Sequence, residues 1–146
     1  MKIGFFGHSD TYLTNDKLTK LTEIIEEIIC TNKNTEFFLG GYGNFDFICA
    51  QILKNLKNKY RNFKRIFITP YIENTYLSNK FDKELYDDCI YPPLENIPKK
   101  YAILKRNCWI IDNCNFLIFY KNNSCGGTAK AYKYAKQKQI KLININ

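Results

Sequence analysis

Three times in this chain a short apolar run ends in a polar, glycine-containing turn and passes directly into residues with helical spacing. That repetition restricts the fold more than any other feature of the sequence. In its last instance Phe116 to Tyr120 is apolar, Asn122, Asn123, Ser124, Cys125, Gly126, Gly127 and Thr128 form the turn, and small and aromatic residues from Ala129 to Lys138 follow at helical spacing. Two glycines ahead of a helix let backbone N–H groups approach an anion closely, and the helix N-terminus adds partial positive charge, so this junction suits a phosphate. A helix start without a ligand is the competing reading.

The first instance is Lys2 to Phe6, ending at Gly7, His8, Ser9 and Asp10; Leu18, Leu21, Ile24, Ile25, Ile28 and Ile29 then recur at helical spacing. Thr14 or Asn15 is the expected N-cap. His8 would stand at the carboxyl end of a strand, where open α/β sheets place ligands, or else serve as a loop histidine bonded to backbone. The second instance is Glu36 to Leu39, followed by Gly40, Gly41, Tyr42, Gly43 and Asn44 and a helix through Phe45, Ile48, Cys49, Ile52, Leu53 and Leu56. This turn lacks the Lys and Ser/Thr of a P-loop and departs from the dinucleotide fingerprint, which leaves it as a backbone-rich pocket wall. Asp46, in the first helical turn, complements the helix dipole and is a weak candidate for a catalytic carboxylate.

Arg65 to Thr69 reads as a third strand stopped by Pro70. Residues 71 to 98 form an irregular insertion holding six of the fourteen acidic residues, together with Tyr71, Tyr76, Tyr86 and Tyr91. An insertion of that length is expected to act as a lid, a binding loop or an oligomer contact. Lys99 to Asn113 regains helical spacing, with Arg106 either reaching a phosphate or lying on the surface, and Lys141 to Ile145 closes the chain as a final strand. The alternation predicts one domain over residues 1 to 146: a parallel three-layer α/β fold of five strands in the order 3-2-1-4-5, because right-handed crossovers cover both faces of such a sheet. The first and fourth strands then flank the topological switch point, and the three glycine-containing loops share one crevice.

Composition narrows the chemistry. The six cysteines include no C-x-x-C pair and read as free thiols, and with His8 the only histidine neither a metal site nor a cofactor is expected. No apolar run approaches the roughly 20 residues a membrane span needs, and MKIGFFGHSD lacks a signal-peptide core, so a cytoplasmic protein is expected. The net charge of +8 comes almost wholly from lysine and fits nucleotides and nucleic acid equally.

The loops G-H-S-D, G-G-Y-G-N-F-D and S-C-G-G-T-A-K-A-Y-K-Y-A, in this order over nearly the whole chain, resemble the SLOG superfamily of Rossmann-like proteins. The chain is most like its small bacterial and phage-associated branch, in which R-N-x-W also recurs before the fourth strand; Arg106, Asn107 and Trp109 match it. Better-known relatives are the Lonely Guy phosphoribohydrolases and DprA. The resemblance implies a nucleotide or nucleotide-derived ligand, held by Gly7, His8, Ser9, Gly40, Gly41, Tyr42, Gly43, Asn44, Arg106, Ser124, Gly126, Gly127, Thr128 and Lys130, with phosphate on the last glycine-rich turn. It also implies a homodimer or higher assembly.

Hydrolysis does not follow from the resemblance. Lonely Guy enzymes carry G-G-x-G-T-x-x-E at this turn, and laying Gly127 and Thr128 on that pattern puts Ala131 where the glutamate belongs. Cleaving an N-glycosidic bond needs a carboxylate to stabilise the sugar cation or activate water. The expectation is therefore a sensor or sequestering protein without turnover. An N-glycosidase with a relocated acid ranks second, and nucleic-acid binding ranks last.

Overall fold

The computed structural model describes residues 1 to 146. Strands β1 (Lys2–Gly7), β2 (Thr35–Leu39), β3 (Phe63–Ile68), β4 (Asp88–Ile90), β5 (Phe116–Tyr120) and β6 (Lys141–Asn144) alternate with helices α1 (Asn15–Thr31), α2 (Gly43–Leu56), α3 (Asn74–Lys80), α4 (Ala102–Asn113) and α5 (Gly126–Gln137). All neighbouring strands are parallel, in the order β4-β3-β2-β1-β5-β6. The expected Rossmann-like α/β class is present. The expected strand order is kept, but a sixth strand, β4, extends the sheet beyond β3.

That strand and α3 lie within residues 71 to 98, the stretch read as an irregular insertion, and give it two short regular elements. β4 is only three residues long, and its approach is pinned by Asp87. The Asp87 carboxylate accepts from the Arg65 backbone N–H (2.8 Å), Nε (3.1 Å) and Nη2 (3.0 Å). α3 is seven residues long and fully buries none of them; Tyr76 and Leu77 pack partly buried on the core, too few to announce a helix in the sequence.

Parallel strands covered on both faces read as continuous apolar runs, and adjacent residues of each run serve opposite cores. Phe37, Ile118 and Phe5 join Leu21, Ile25, Ile29, Phe45, Cys49 and Leu53 from α1 and α2 on one face. Phe38, Phe119 and Phe6 join Ile110, Ile111, Ala131 and Ala135 from α4 and α5 on the other. Thr14 caps α1 by accepting the Lys17 N–H at 3.4 Å. The six cysteines are free thiols. No helix is long and apolar enough to cross a membrane.

The sheet order places the switch point between β1 and β5. The chain leaves β1 towards β2 on one side and leaves β5 towards β6 on the other, so the loops after these strands diverge and open a crevice at their carboxyl ends.

Candidate functional site

A cleft of about 300 Å³ opens at that crevice, at the lower end of the size range of small-molecule sites. Its walls bring together Gly7, His8 and Ser9 after β1, Gly40, Tyr42 and Asp46 after β2, Arg106 from α4, and Gly126, Gly127 and Thr128 at the start of α5. Three sequence-distant loops therefore meet, as the strand order requires.

The loops are braced against one another by short contacts that explain several residue choices. The Asn44 N–H donates to Ser9 O at 2.9 Å, tying the β2–α2 turn to the β1–α1 loop. Gly43 adopts a φ of +86°, and a Cβ there would lie 2.6 Å from the Ser9 Cα, so only glycine allows the two loops to touch. Gly7 is required by packing instead: a Cβ would overlap the Phe45 ring. His8 is buried, and its Nε2 accepts the Asn122 N–H at 3.3 Å, linking the β1 loop to the β5 loop across the switch point. It is both the loop-bonded histidine and a cleft-lining one.

Arg106 overturns the surface-arginine reading. It is 2% exposed, and its Nη1 donates to Gly40 O and Ile68 O, each at 2.8 Å, while Nε donates to Asn107 Oδ1 at 2.9 Å. The guanidinium thus staples the ends of β2 and β3 from beneath. Its Nη2 donates to nothing in the chain. Arg106 also lines the cleft, leaving Nη2 as the guanidinium nitrogen free of a protein acceptor there.

Asp46 is likewise more than a dipole complement. It is 8% exposed, and its Oδ2 accepts the Tyr42 N–H at 3.2 Å. Burial pushes its carboxyl up to about 6, against the opposing pull of the Tyr42 N–H and the charge of Arg106. The two residues feel one another's charge but form no direct ion pair.

Because the folded chain holds the Asp46 proton more tightly than the unfolded chain does, this group adds stability as pH falls. The gain starts near 6 and grows by about 1.4 kcal/mol per pH unit until the ordinary carboxylate range near 3.8 is reached. Burial opposes ionisation of Asp87, but its Arg65 bonds hold that carboxyl below its usual value, so its stabilisation persists until more acid pH. Urea unfolding at pH 7.5 and 5.0 is expected to show the wild type gaining about 1 kcal/mol at pH 5.0 that Asp46→Asn does not gain. Identical pH dependence in the two proteins would contradict the burial of this carboxyl.

The start of α5 differs from the other loops. Its N-cap residue, Cys125, makes no side-chain cap, so the first-turn N–H groups lack a protein acceptor there. A Cβ built on Gly126 or Gly127 meets nothing within 4 Å. Neither is demanded by side-chain packing, unlike Gly7, Gly41 and Gly43; Gly126 is favoured by its own φ of +86°, and Gly127 by nothing in the chain. They leave a bare backbone surface facing the cleft.

Five of the expected residues fall outside the cleft lining. Gly41 lies against the Phe67 ring, Gly43 and Asn44 brace the loops, and Ser124 and Lys130 are exposed beside the α5 N-terminus. Asp10, Ile103, Asn107 and Ile110 line it in addition. The last three stand with Arg106 at helical spacing on one face of α4, the signal by which they were recognisable.

Fold and cleft together define a Rossmann-like α/β domain with a candidate ligand site at its switch point. No protein-family model matches the chain, and no curated protein matches it. Its fold is similar to that of DNA processing protein A from Helicobacter pylori, a single-stranded DNA binder (TM-score 0.66, 16% identity), covering 97% of this chain and 63% of that one. It is similar also to TM1055, a structural-genomics target (0.58, 16%; 97% and 71%), and to the molybdenum cofactor carrier protein of Chlamydomonas reinhardtii (0.59, 13%; 97% and 74%). The chain thus spans a little under two thirds of the DNA processing protein, and at these identities the likeness concerns the fold.

Proposed function

We propose that this chain is a SLOG-type binding module for a nucleotide or nucleotide-derived signalling molecule, which it senses or sequesters without turning it over. The observation that carries the reading is the bare glycine surface at Gly126 and Gly127, set in the same cleft as a buried arginine whose Nη2 has no acceptor. A phosphate on the α5 N-terminus would take up both the helix N–H groups and the Arg106 charge. Tyr42, 57% exposed at the cleft wall, offers a ring against which a base can stack. A homo-oligomer and a cytoplasmic location belong to the same proposal.

The absence of turnover rests on Ala131. It is 4% exposed and packs in the core between α4, α5 and the sheet, so the position that carries the glutamate in the Lonely Guy pattern supplies no acid here. One observation favours the runner-up, an N-glycosidase-like enzyme: Asp46 lines the cleft as a carboxyl held near 6, a value useful in proton transfer. Nucleic-acid binding draws support from the charge of +8 and from the DNA processing protein's own ligand.

Incubating the purified protein with a mixed nucleotide panel, including cyclic dinucleotides and ADP-ribose, separates the first two readings by mass spectrometry. An intact nucleotide released on denaturation is the expected result. Free base or ribose phosphate accumulating in the filtrate would establish turnover and return Asp46 to the mechanism.

A further inference from the structure

Asp46 is the buried one of two carboxylates, with the exposed Asp10, that line the cleft. The other groups around it are known from every side. Arg106 approaches from α4, the buried Cys49 thiol lies one turn along α2, and the phenol of Tyr86 feels the Asp46 charge from the segment before β4. Tyr76 and Tyr71 act on the same Arg106, while His8 and Asp10 face the cleft from the β1–α1 loop. Arg106 is the one permanent cation among them, and it stays 2% exposed and short of an acceptor at Nη2 because Asp46 does not reach it.

We propose that Asp46 is a positioning residue that makes anion binding in this cleft proton-coupled: the ligand takes the Arg106 charge, and Asp46 takes up one proton to remove the repulsion between two buried anions. The inference rests on the cleft being an anion site, as the proposed function requires. Its physical basis is that like charges sharing a low-dielectric site cannot both be ionised without cost. The neutral carboxyl retains its Tyr42 N–H bond, so the β2–α2 turn keeps its shape. Burial has already brought the carboxyl up to about 6, so an anion alongside moves its titration into the neutral range, and ligand affinity rises as pH falls through that window.

Inorganic sulfate is a suitable probe, because its charge is constant over the working range. The expected result is an apparent Asp46 titration, followed by carboxyl carbon NMR, that moves to higher pH on saturation with sulfate. Sulfate affinity in the wild type should rise by about tenfold between pH 7.5 and 5.5. In Asp46→Asn it should be flat and match the low-pH wild-type value, whereas His8→Gln should retain the slope.

An Asp46 titration unmoved by saturating sulfate, a slope that survives in Asp46→Asn but vanishes in His8→Gln, or no sulfate in the cleft at any pH would each overturn the proposal. The carboxyl titration is read on the wild type and so does not depend on the variants folding. Proton-coupled sulfate binding without retention of any nucleotide would overturn the proposed function and uphold this inference; nucleotide binding without coupling would do the reverse.

Discussion

Gly127→Leu is expected to weaken nucleotide binding by about a hundredfold or more, equivalent to roughly 3 kcal/mol, while the thermal midpoint stays within about 2 °C of the wild type. Both halves follow from the same geometry. A Cβ at Gly127 meets no atom within 4 Å and the backbone there is not in the left-handed region, so the fold accommodates the side chain without strain. The leucine then fills the space a phosphate would occupy against the first turn of α5 and covers its N–H groups. Isothermal titration with the nucleotide recovered from the wild type, alongside a thermal melt, measures the two quantities. Retained affinity would remove the α5 N-terminus from the site.

Arg106→Ala is expected to behave oppositely, losing about 3 kcal/mol or more of unfolding free energy as well as binding. Truncation leaves the Gly40 and Ile68 carbonyls without their donor and Asp46 without its compensating charge, and each buried orphan costs about 1–3 kcal/mol. Against a total of about 5–15 kcal/mol for an ordinary domain, that is a large share. Arg106→Lys restores the charge but not the fork that reaches two strand ends and Asn107 together, so only part of the loss should return. Urea unfolding with an unchanged slope and a lower midpoint is the signature; a loss below about 1 kcal/mol would deny the guanidinium its structural role.

The contrast between these two substitutions marks how far the sequence alone carries. The strand, loop and helix alternation was legible because doubly covered parallel strands are largely apolar runs, and those of β1, β2 and β3 end at or within two residues of Gly7, Gly40 and Pro70. The short edge strand at Asp88–Ile90 was not, since three residues give no pattern and its anchor, the Arg65–Asp87 pairing, joins positions 22 residues apart. α3 was illegible for the complementary reason that its seven residues offer only Tyr76 and Leu77, partly buried, to the core, too few to form a helical stripe.

Motif reading picked out loops that do meet at one cleft but could not sort their glycines. Gly41 and Gly43 sit against neighbours at positive φ, Gly126 takes positive φ in open space, and Gly127 has neither constraint; only the three-dimensional structure distinguishes these cases. Arg106, flanked by Lys105 and Asn107, has the local look of a surface residue. Its burial is imposed by carbonyls 66 and 38 positions away in the chain. The same holds for Asp46, whose position in a first helical turn suffices to explain an acidic residue but not a carboxyl held near 6.

The most direct test of the cleft as the nucleotide site is a residue-resolved amide NMR map of the wild type, recorded with and without a saturating amount of ADP-ribose or of the nucleotide the protein retains. Shifts concentrated at Gly126, Gly127 and Thr128, with a second group at His8, Ser9 and Tyr42, are expected. Shifts confined to the lysines on the outer face of α5, or to residues remote from the switch point, would contradict it.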